Sequence, residues 1–486
     1  MKRDGIKKNF AFQFIYQFII LVIPLVVSPY LTRTLGDTQL GIYTYSYTIA
    51  YYFVIGAMLG INKYGQKVIS AAQNDEEEIR KKFWALFTLH SIISLISTIA
   101  YFIVIFVANF DNKDVCFALG LYVVSALFDI TWFFYGIDNF KKIVIRNLFI
   151  KILECVLIFL FVKAKGDVLI YTFIKSGSVL LSQFIMYGFI FKYVKPIKFT
   201  FKDMMIHFKP LITFAIFVLA SLLYSVFDKT LLGIMCSKED VAYYEYANRI
   251  IDIPKTFAYV LASVVFPKAC MCAKVGETEK LNKYFKICLI FVFYICVGTI
   301  FGLFFIADDF ALLYYGEDFV LSGEIMRWLV PVILLISMCN VLESLYLIPK
   351  DKELLLTFSI VIGAVVNVVL SSLLIYFYGV FGAIIGTLVA EFIQLTLEVF
   401  FCRKDIKILN IILLAVPFIA SGIIMSGVIW LMTTNLETNY LNFVLEIMVG
   451  FVIYSLLISC YFLCFDKDKY EYKTKIVNFV KRRKNK

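Results

Sequence analysis

This chain predicts an all-α integral membrane protein of about fourteen transmembrane helices, and three observations carry that prediction. First, 61% of its 486 residues are hydrophobic and the mean hydropathy is +0.85. Apolar runs of about twenty residues recur from end to end, the length a helix rising ~1.5 Å per residue needs to cross a ~30 Å hydrocarbon core. Second, Lys and Arg fall almost entirely in alternate links between those runs. Third, the longest links, 62–83, 268–287 and the tail, are short and charged, so none has room for a soluble catalytic domain.

Fourteen segments meet the length test: 10–31, 40–61, 84–108, 115–137, 148–164, 168–191, 210–235, 240–267, 288–306, 325–348, 354–377, 379–401, 409–433 and 441–464. The first follows Lys2, Arg3, Lys7 and Lys8, like the charged start of a secretory signal. Its apolar part is too long for that reading and runs into Pro24, Pro29 and YLTRTLG without a small-residue cleavage site, so a retained helix is expected. With the amino terminus inside, the links assigned to the cytoplasm carry 36 basic residues and the external links five: Arg33, Lys113, Lys163, Lys165 and Lys238. That asymmetry is a positive-inside signal and supports an even number of crossings, with both termini cytoplasmic. The net charge of +11 is therefore a mark of topology, and no nucleic-acid partner is expected. The tail KRRKNK at 481–486 is expected to rest on anionic headgroups. Eleven cysteines without ligand spacing read as small apolar fillers.

A faint repeat relates RTLGDTQLGIYTYSYTI at 33–49 to KTLLGIMCSKEDVAYYEYANRI at 229–250: a basic residue, a Leu-Gly turn, a polar link and a Tyr-rich helix start. The offset suggests two pseudo-symmetric six-helix lobes, 1–209 and 210–408, followed by two extra helices within 409–464 and a basic tail, 465–486. An even number of helices per lobe gives both the same orientation, and hence a central cavity along the membrane normal.

Ionisable groups within spans cost ~2.5–3.5 kcal/mol each at mid-membrane, so they are expected to face protein or water. Asp228 and Lys229 lie in an otherwise apolar run; neighbours on a helix point ~100° apart, so each needs its own partner or water. Lys229 could also reach the headgroups. Glu245, Arg249, Asp252 and Lys255 form one stripe, read either as a self-neutralising ladder or as an anion-binding wall that includes Arg249. Lys151 and Glu154 sit three apart. Lys175, with Gln183 on its face, has no acid close in sequence, which marks it as a cavity cation unless a residue such as Asp129 pairs with it. Asn340 with Glu343, and Glu391 with Gln394 and Glu398, set carboxylates on apolar helices, as coupling sites for a proton or sodium ion or as structural acids. Tyr43, Tyr47 and Tyr51 form a stripe suited to interface anchoring or sugar stacking. The chain shows no nucleophilic triad and no phosphate-cradling loop, so an enzyme is not expected and no cofactor beyond a coupling ion. GVFGAIIG at 379–386 reads as close helix packing.

Four stretches together resemble the polysaccharide transporter family, the Wzx-type O-antigen and capsule flippases of the multidrug/oligosaccharidyl-lipid/polysaccharide exporter superfamily. They are PYLTRTLGDTQLGIYTYS at 29–46, WFFYGIDNFKKIVIRNLFIKIL at 132–153, FDKTLLG with VAYYEYANRI within 227–250, and YGVFGAIIGTLVAEF at 378–392. The resemblance implies a flippase that carries undecaprenyl-diphosphate-linked oligosaccharide repeat units across the bacterial cytoplasmic membrane by alternating access, beside a polymerase and chain-length machinery. It gives a reason for cations: a diphosphate crossing a low-dielectric region needs basic walls, here Lys175, Arg249, Lys151, Lys229 and Arg33. Asp228, Glu343 and Glu391 are the coupling or supporting acids. A cation-coupled multidrug exporter or a lipid II flippase of the same superfamily is the alternative, although Lys151, Lys175, Lys229, Arg249 and Lys255 within the spans favour an anionic cargo.

Overall fold

The computed structural model describes residues 6–72, 75–108, 110, 112–137 and 139–465, with side chains left aside for 6–21, 140, 214, 216–225 and 465. The described residues form helices throughout and no strand. In order these are α1 (Ile6–Met58), α2 (Ile61–Ala71), α3 (Glu76–Val107), α4 (Lys113–Leu127), α5 (Thr131–Gly136), α6 (Phe140–Phe161), α7 (Val168–Ile190), α8 (Phe201–Met205) and α9 (Phe208–Met235). They continue with α10 (Lys238–Val275), α11 (Thr278–Phe310), α12 (Val320–Leu329), α13 (Val332–Leu342), α14 (Glu353–Tyr378), α15 (Val380–Cys402), α16 (Ile408–Asn435) and α17 (Tyr440–Phe465). The basic tail expected at 465–486 lies outside the described residues beyond Phe465, as do Lys2 and Arg3.

By length and composition ten described helices can cross a membrane, or eleven when Glu317–Leu329 and Val332–Leu347, bent by 48°, count as one span. The expected fourteen is not reached on that measure, and three places account for the difference. Helix α1 is 53 residues long, far more than one crossing needs, and turns at Gly36, whose φ of 76° an L side chain seldom adopts; segments 10–31 and 40–61 are its two arms. Helix α6 carries Arg146, Lys151 and Glu154 in its apolar run. In α9 the side chains are only partly described. Segment 325–348 breaks at Pro331, which ends α12 and opens α13, because proline cannot continue the preceding ladder.

The links close by local chemistry. Asp75 caps α3 by accepting from the amides of Glu77 at 2.9 Å and Glu78 at 3.1 Å, and Glu76–Glu78 complement the positive end of the helix dipole. Thr200 and Asp203 form a capping box on α8. Hydrogen bonds from the Thr200 amide and hydroxyl, with Lys81 beside it, hold the Asp203 carboxyl down at about 2, so it stays charged throughout the physiological range. Ser237 and Asp240 start α10 in the same way, with the Asp240 amide donating to Ser237 Oγ at 3.1 Å.

The chain packs into two compact units: Met1–Glu245 with Val368–Ala383, and Tyr246–Asn367 with Ile384–Lys486. In the first, α1 packs on α3, α4, α6 and α9, and α4 on α7. One apolar cluster gathers Trp132, Phe133 and Phe134 against Phe83 and Leu86. In the second, α11 packs on α12, α13 and α16, and α16 on α17. Lipid offers no hydrophobic drive between helices, so close approach of small residues matters. The glycine-rich stretch behaves as expected: a Cβ at Gly382 would lie 2.2 Å from the Leu374 carbonyl carbon.

Candidate functional site

Helices α6 and α7 run side by side in the first unit and bring together a group that no sequence spacing shows. Lys175 Nζ lies 2.7 Å from Glu154 Oε1 and Lys151 Nζ 3.1 Å from Glu154 Oε2. The partner of Lys175 is thus Glu154 on the neighbouring helix. Asp129, the partner considered from sequence, instead accepts from the amide of Thr131 at 2.7 Å and from its hydroxyl. The Glu154 side chain is 7% exposed, against 36% for Lys151 and 28% for Lys175. One buried carboxylate therefore pins two more accessible ammonium groups. Five residues before Lys151 on α6, buried Arg146 donates to Asn147 Oδ1 at 2.7 Å and reaches Gln183 Oε1 at 3.4 Å. Sequence reasoning counted Arg146 only as a basic residue of a cytoplasmic link; its membership of a helix that also holds Lys151 was the available signal.

The vicinal charges of α9 each find a partner on α10. Lys229 Nζ is 2.5 Å from Glu245 Oε2, and Tyr244 Oη donates to Asp228 Oδ2 at 3.2 Å. Of the expected stripe of Glu245, Arg249, Asp252 and Lys255, Glu245 meets Lys229 on α9. Lys255 pairs with Asp252 at 2.6 Å. In the second unit the Arg249 guanidinium lies over the Tyr246 ring, 4.3 Å from its centroid. That ring is held edge-on by Tyr315 at 5.3 Å, so the cation stands on a rigid aromatic support.

Also in the second unit, Glu343, Glu391 and Glu398 lie close enough to influence one another, with Cys339 among them. Glu391 and Glu398 are buried. Glu398 Oε1 accepts from Gln394 Nε2 at 3.0 Å and from Ser359 Oγ at 3.3 Å, and Oε2 has no hydrogen-bond partner among the described residues. Glu343 opens a π-helical turn, Glu343–Leu347. Among the described residues no group of three or more His, Cys, Asp or Glu is arranged to hold a metal ion. From sequence Glu398 was only a face-mate of Glu391; the structure gives it hydrogen bonds from Gln394 and Ser359.

Arg33 is exposed on α1. The tyrosine stripe stacks inward: Tyr47 lies 5.9 Å from both Tyr43 and Tyr51 and 5.2 Å from Tyr122 on α4. Both histidines serve packing, with His90 Nε2 2.8 Å from the Ala126 carbonyl and His207 Nδ1 2.7 Å from Tyr64 Oη.

Around Gly36 and Cys236 the two repeated sequence stretches pack on each other within the first unit. Lys238 Nζ donates to the Gly233 carbonyl at 2.6 Å and sits 3.6 Å over the Tyr45 ring. Tyr243 donates to Asp37, and Tyr52 Oη is 2.9 Å from Thr230 Oγ1. The crossing is so close that a Cβ at Gly41 would fall 1.8 Å from the Lys238 carbonyl oxygen, and one at Gly233 1.9 Å from Tyr45 Cδ2.

Described helices of this number, length and apolar composition define a multi-pass membrane protein. The chain belongs to the polysaccharide biosynthesis protein family, whose model matches residues 6–273, in agreement with the resemblance carried by its motifs. The lipid II flippase MurJ model also matches, over residues 177–450. The chain is 24% identical over 408 residues to the "Putative O-antigen transporter" of Shigella dysenteriae, covering 82% of this chain and all of that protein. It is 22% identical over 245 residues to the "Probable low-salt glycan biosynthesis flippase Agl15" of Haloferax volcanii, across 49% of this chain and half of that protein. The fold is that of the lipid II flippase MurJ in an inward closed conformation, with a TM-score of 0.76 at 16% identity, covering 93% of this chain and 99% of that one. A multidrug resistance MATE family transporter of the MOP superfamily, in an inward-facing conformation, matches at a TM-score of 0.55 and 14% identity, over 81% of this chain and 98% of its own.

Proposed function

We propose that this protein moves undecaprenyl-diphosphate-linked oligosaccharide repeat units from the inner to the outer leaflet of the bacterial cytoplasmic membrane during surface polysaccharide biosynthesis, with both termini cytoplasmic. The observation that carries the proposal is the pair of ammonium groups, Lys151 and Lys175, that Glu154 gathers between α6 and α7. A diphosphate in a low-dielectric passage is attracted strongly by such a group, and the shared carboxylate holds both ammoniums in place before cargo arrives. Arg249, braced on Tyr246 in the second unit, Lys229, held by Glu245 in the first, and Arg33 are proposed as further cations for the same cargo. A drug–cation exporter would want acids at these positions. Cells depleted of the protein should accumulate diphosphate-linked sugar on the inner leaflet without gaining sensitivity to cationic drugs. Drug sensitivity without accumulation would favour the exporter reading.

Alternating access completes the proposal. Two six-helix halves, 1–209 and 210–408, open in turn to each side of a central cavity, and the seam between the repeats closes the external side. The acids Glu343, Glu391 and Glu398 are proposed as the coupling group: three carboxylates in apolar surroundings call for a balancing cation, a proton or a sodium ion. Asp228 supports the seam through Tyr244. Glu343→Gln and Glu398→Gln should each reduce transport and flatten its dependence on a proton or sodium gradient, with the protein still present in the membrane. Gradient dependence unchanged in both variants would return these acids to a structural role. A polymerase and chain-length machinery are the proposed downstream partners, since flipped repeat units must be consumed on the outer face.

A further inference from the structure

Within the second unit, α16 and α17 pack on α11, and the link between them lies on the side that the distribution of Lys and Arg places outside the membrane. That link is bound at several points. Asn439 Oδ1 accepts from the Asn442 amide at 2.9 Å and so starts α17, while Tyr440 Oη donates to the Leu313 carbonyl at 3.0 Å. Thr438 Oγ1 donates to Asp309 Oδ1 at 3.1 Å, tying the link to the last turn of α11. Phe443 packs on Phe310, ring centroids 6.1 Å apart. Glu446 comes six residues after Tyr440, about 9 Å further along α17.

Glu446 is 3% exposed, and its Oε2 is buried without a hydrogen-bond partner among the described residues. The charged group that acts on it is another acid, Asp309. A buried carboxylate left in that state is costly, and the surroundings do not relieve it. Glu446 lies beyond the first turn of α17, where the helix dipole would help, and the last turn of α11 presents its negative end. Residues 408–465, which hold α16 and α17, contain no Lys, Arg or His, and the last basic residue of α11 is Lys286, towards its opposite end. Arg327 on α12 is bound to Asp308 and donates to the Phe304 carbonyl at 3.0 Å, and Arg249 stands over the Tyr246 ring. Asp309 acts on Glu446 by charge, with no hydrogen bond between them among the described residues, so a shared proton does not join the two. The Thr438 hydroxyl keeps its lone pairs after donating to Asp309. Two carboxylates and a hydroxyl are the oxygen donors that hard cations take, and two negative charges balance a divalent ion. We propose that Glu446 and Asp309, with the Thr438 hydroxyl, bind one calcium or magnesium ion from the external side. The ion staples α17 to the end of α11.

The test uses the full-length protein in detergent at mildly alkaline pH, stripped with EDTA. Its unfolding temperature is followed as calcium chloride or magnesium chloride is added, against sodium chloride at matched ionic strength. A divalent salt should raise it saturably, with a midpoint of about 0.1–1 mM, as in external sites of modest affinity. Glu446→Gln should lose that response and, in EDTA, should unfold at a higher temperature than the parent, because the orphaned charge is gone. A carboxylate with only a structural role would give the opposite sign. Asp309→Asn keeps the buried acid and should raise the midpoint at least about tenfold; it decides the matter if the Glu446 variant does not fold. Glu353→Gln, at the exposed start of α14, should change neither reading. The proposal is overturned by equal responses to sodium and divalent salts, by an unchanged midpoint in the Glu446 or Asp309 variant, or by a stability that follows pH and ignores the cations, the mark of a proton held on Glu446.

Discussion

Lys175→Ala combined with Arg249→Ala is expected to lower the delivery of lipid-linked sugar to the outer leaflet about ten- to a hundredfold, because a charge-assisted contact is worth ~1.5–3 kcal/mol. Protein levels should stay near normal, since Glu154 keeps Lys151 as its partner at 3.1 Å and Tyr246 keeps its aromatic neighbours. Lys175→Arg should retain part of the activity, as it returns a cation to Glu154. Glu154→Ala is the contrasting control. It strips two ammoniums of their shared acid, and breaking a buried pair costs roughly 3–5 kcal/mol, so the loss should appear in folded protein rather than in transport per molecule. Asp228→Asn should be milder than either, because an amide oxygen still accepts from Tyr244. Outer-leaflet lipid-linked sugar, normalised to membrane protein, is the measurement; full transport by the double variant would remove the anion wall from the mechanism.

Gly41→Val is the second large effect, and it acts on the seam. The added side chain meets the Lys238 backbone, with the carbonyl oxygen 1.8 Å from the Cβ; backbone cannot swing aside like the end of a flexible side chain. Overpacking of this kind costs ~1–3 kcal/mol, here charged only to the state in which the two repeats touch. The variant should therefore shift the protein toward its externally open form. Cys116 and Cys236 lie at that end, and labelling of both by a membrane-impermeant maleimide added outside should speed up while transport falls. Unchanged labelling with normal transport would show that the seam is not the external closure. Gly233→Ala, which meets only the Tyr45 ring, should give the same changes more weakly.

The spans were legible because the bilayer imposes a length and a polarity that twenty residues of sequence display directly. What blurred the count was backbone geometry. Gly36 turns α1 without ending it, which hydropathy cannot register, whereas Pro331 bends the later span at a residue whose type announces a break. The acids and bases within spans were found for the same energetic reason that makes them rare there. Their pairings were not, because i,i+3 and i,i+4 rules see one helix at a time. Glu154 and Lys175 are 21 residues apart on adjacent helices, and Lys229 reaches across to Glu245 on α10. Arg146 was hidden by topology, since a basic residue near a cytoplasmic link satisfies the positive-inside pattern whether it faces water or packs beneath Gln183.

The central claim is that a basic lining in a MurJ-like fold serves an anionic, lipid-linked sugar, and reconstitution tests it most directly. Purified protein in liposomes containing a fluorescent diphosphate-linked oligosaccharide is compared with the same liposomes carrying the sugar on an uncharged lipid, and with protein-free liposomes. The fraction of sugar that becomes accessible to an added membrane-impermeant quencher or glycosidase is followed over time. The expected result is protein-dependent flipping of the diphosphate-linked sugar, much slower flipping of the uncharged analogue, and loss of the difference in the Lys175→Ala, Arg249→Ala protein. Equal flipping of the charged and uncharged lipids, or none above protein-free liposomes under any applied proton or sodium gradient, would contradict it.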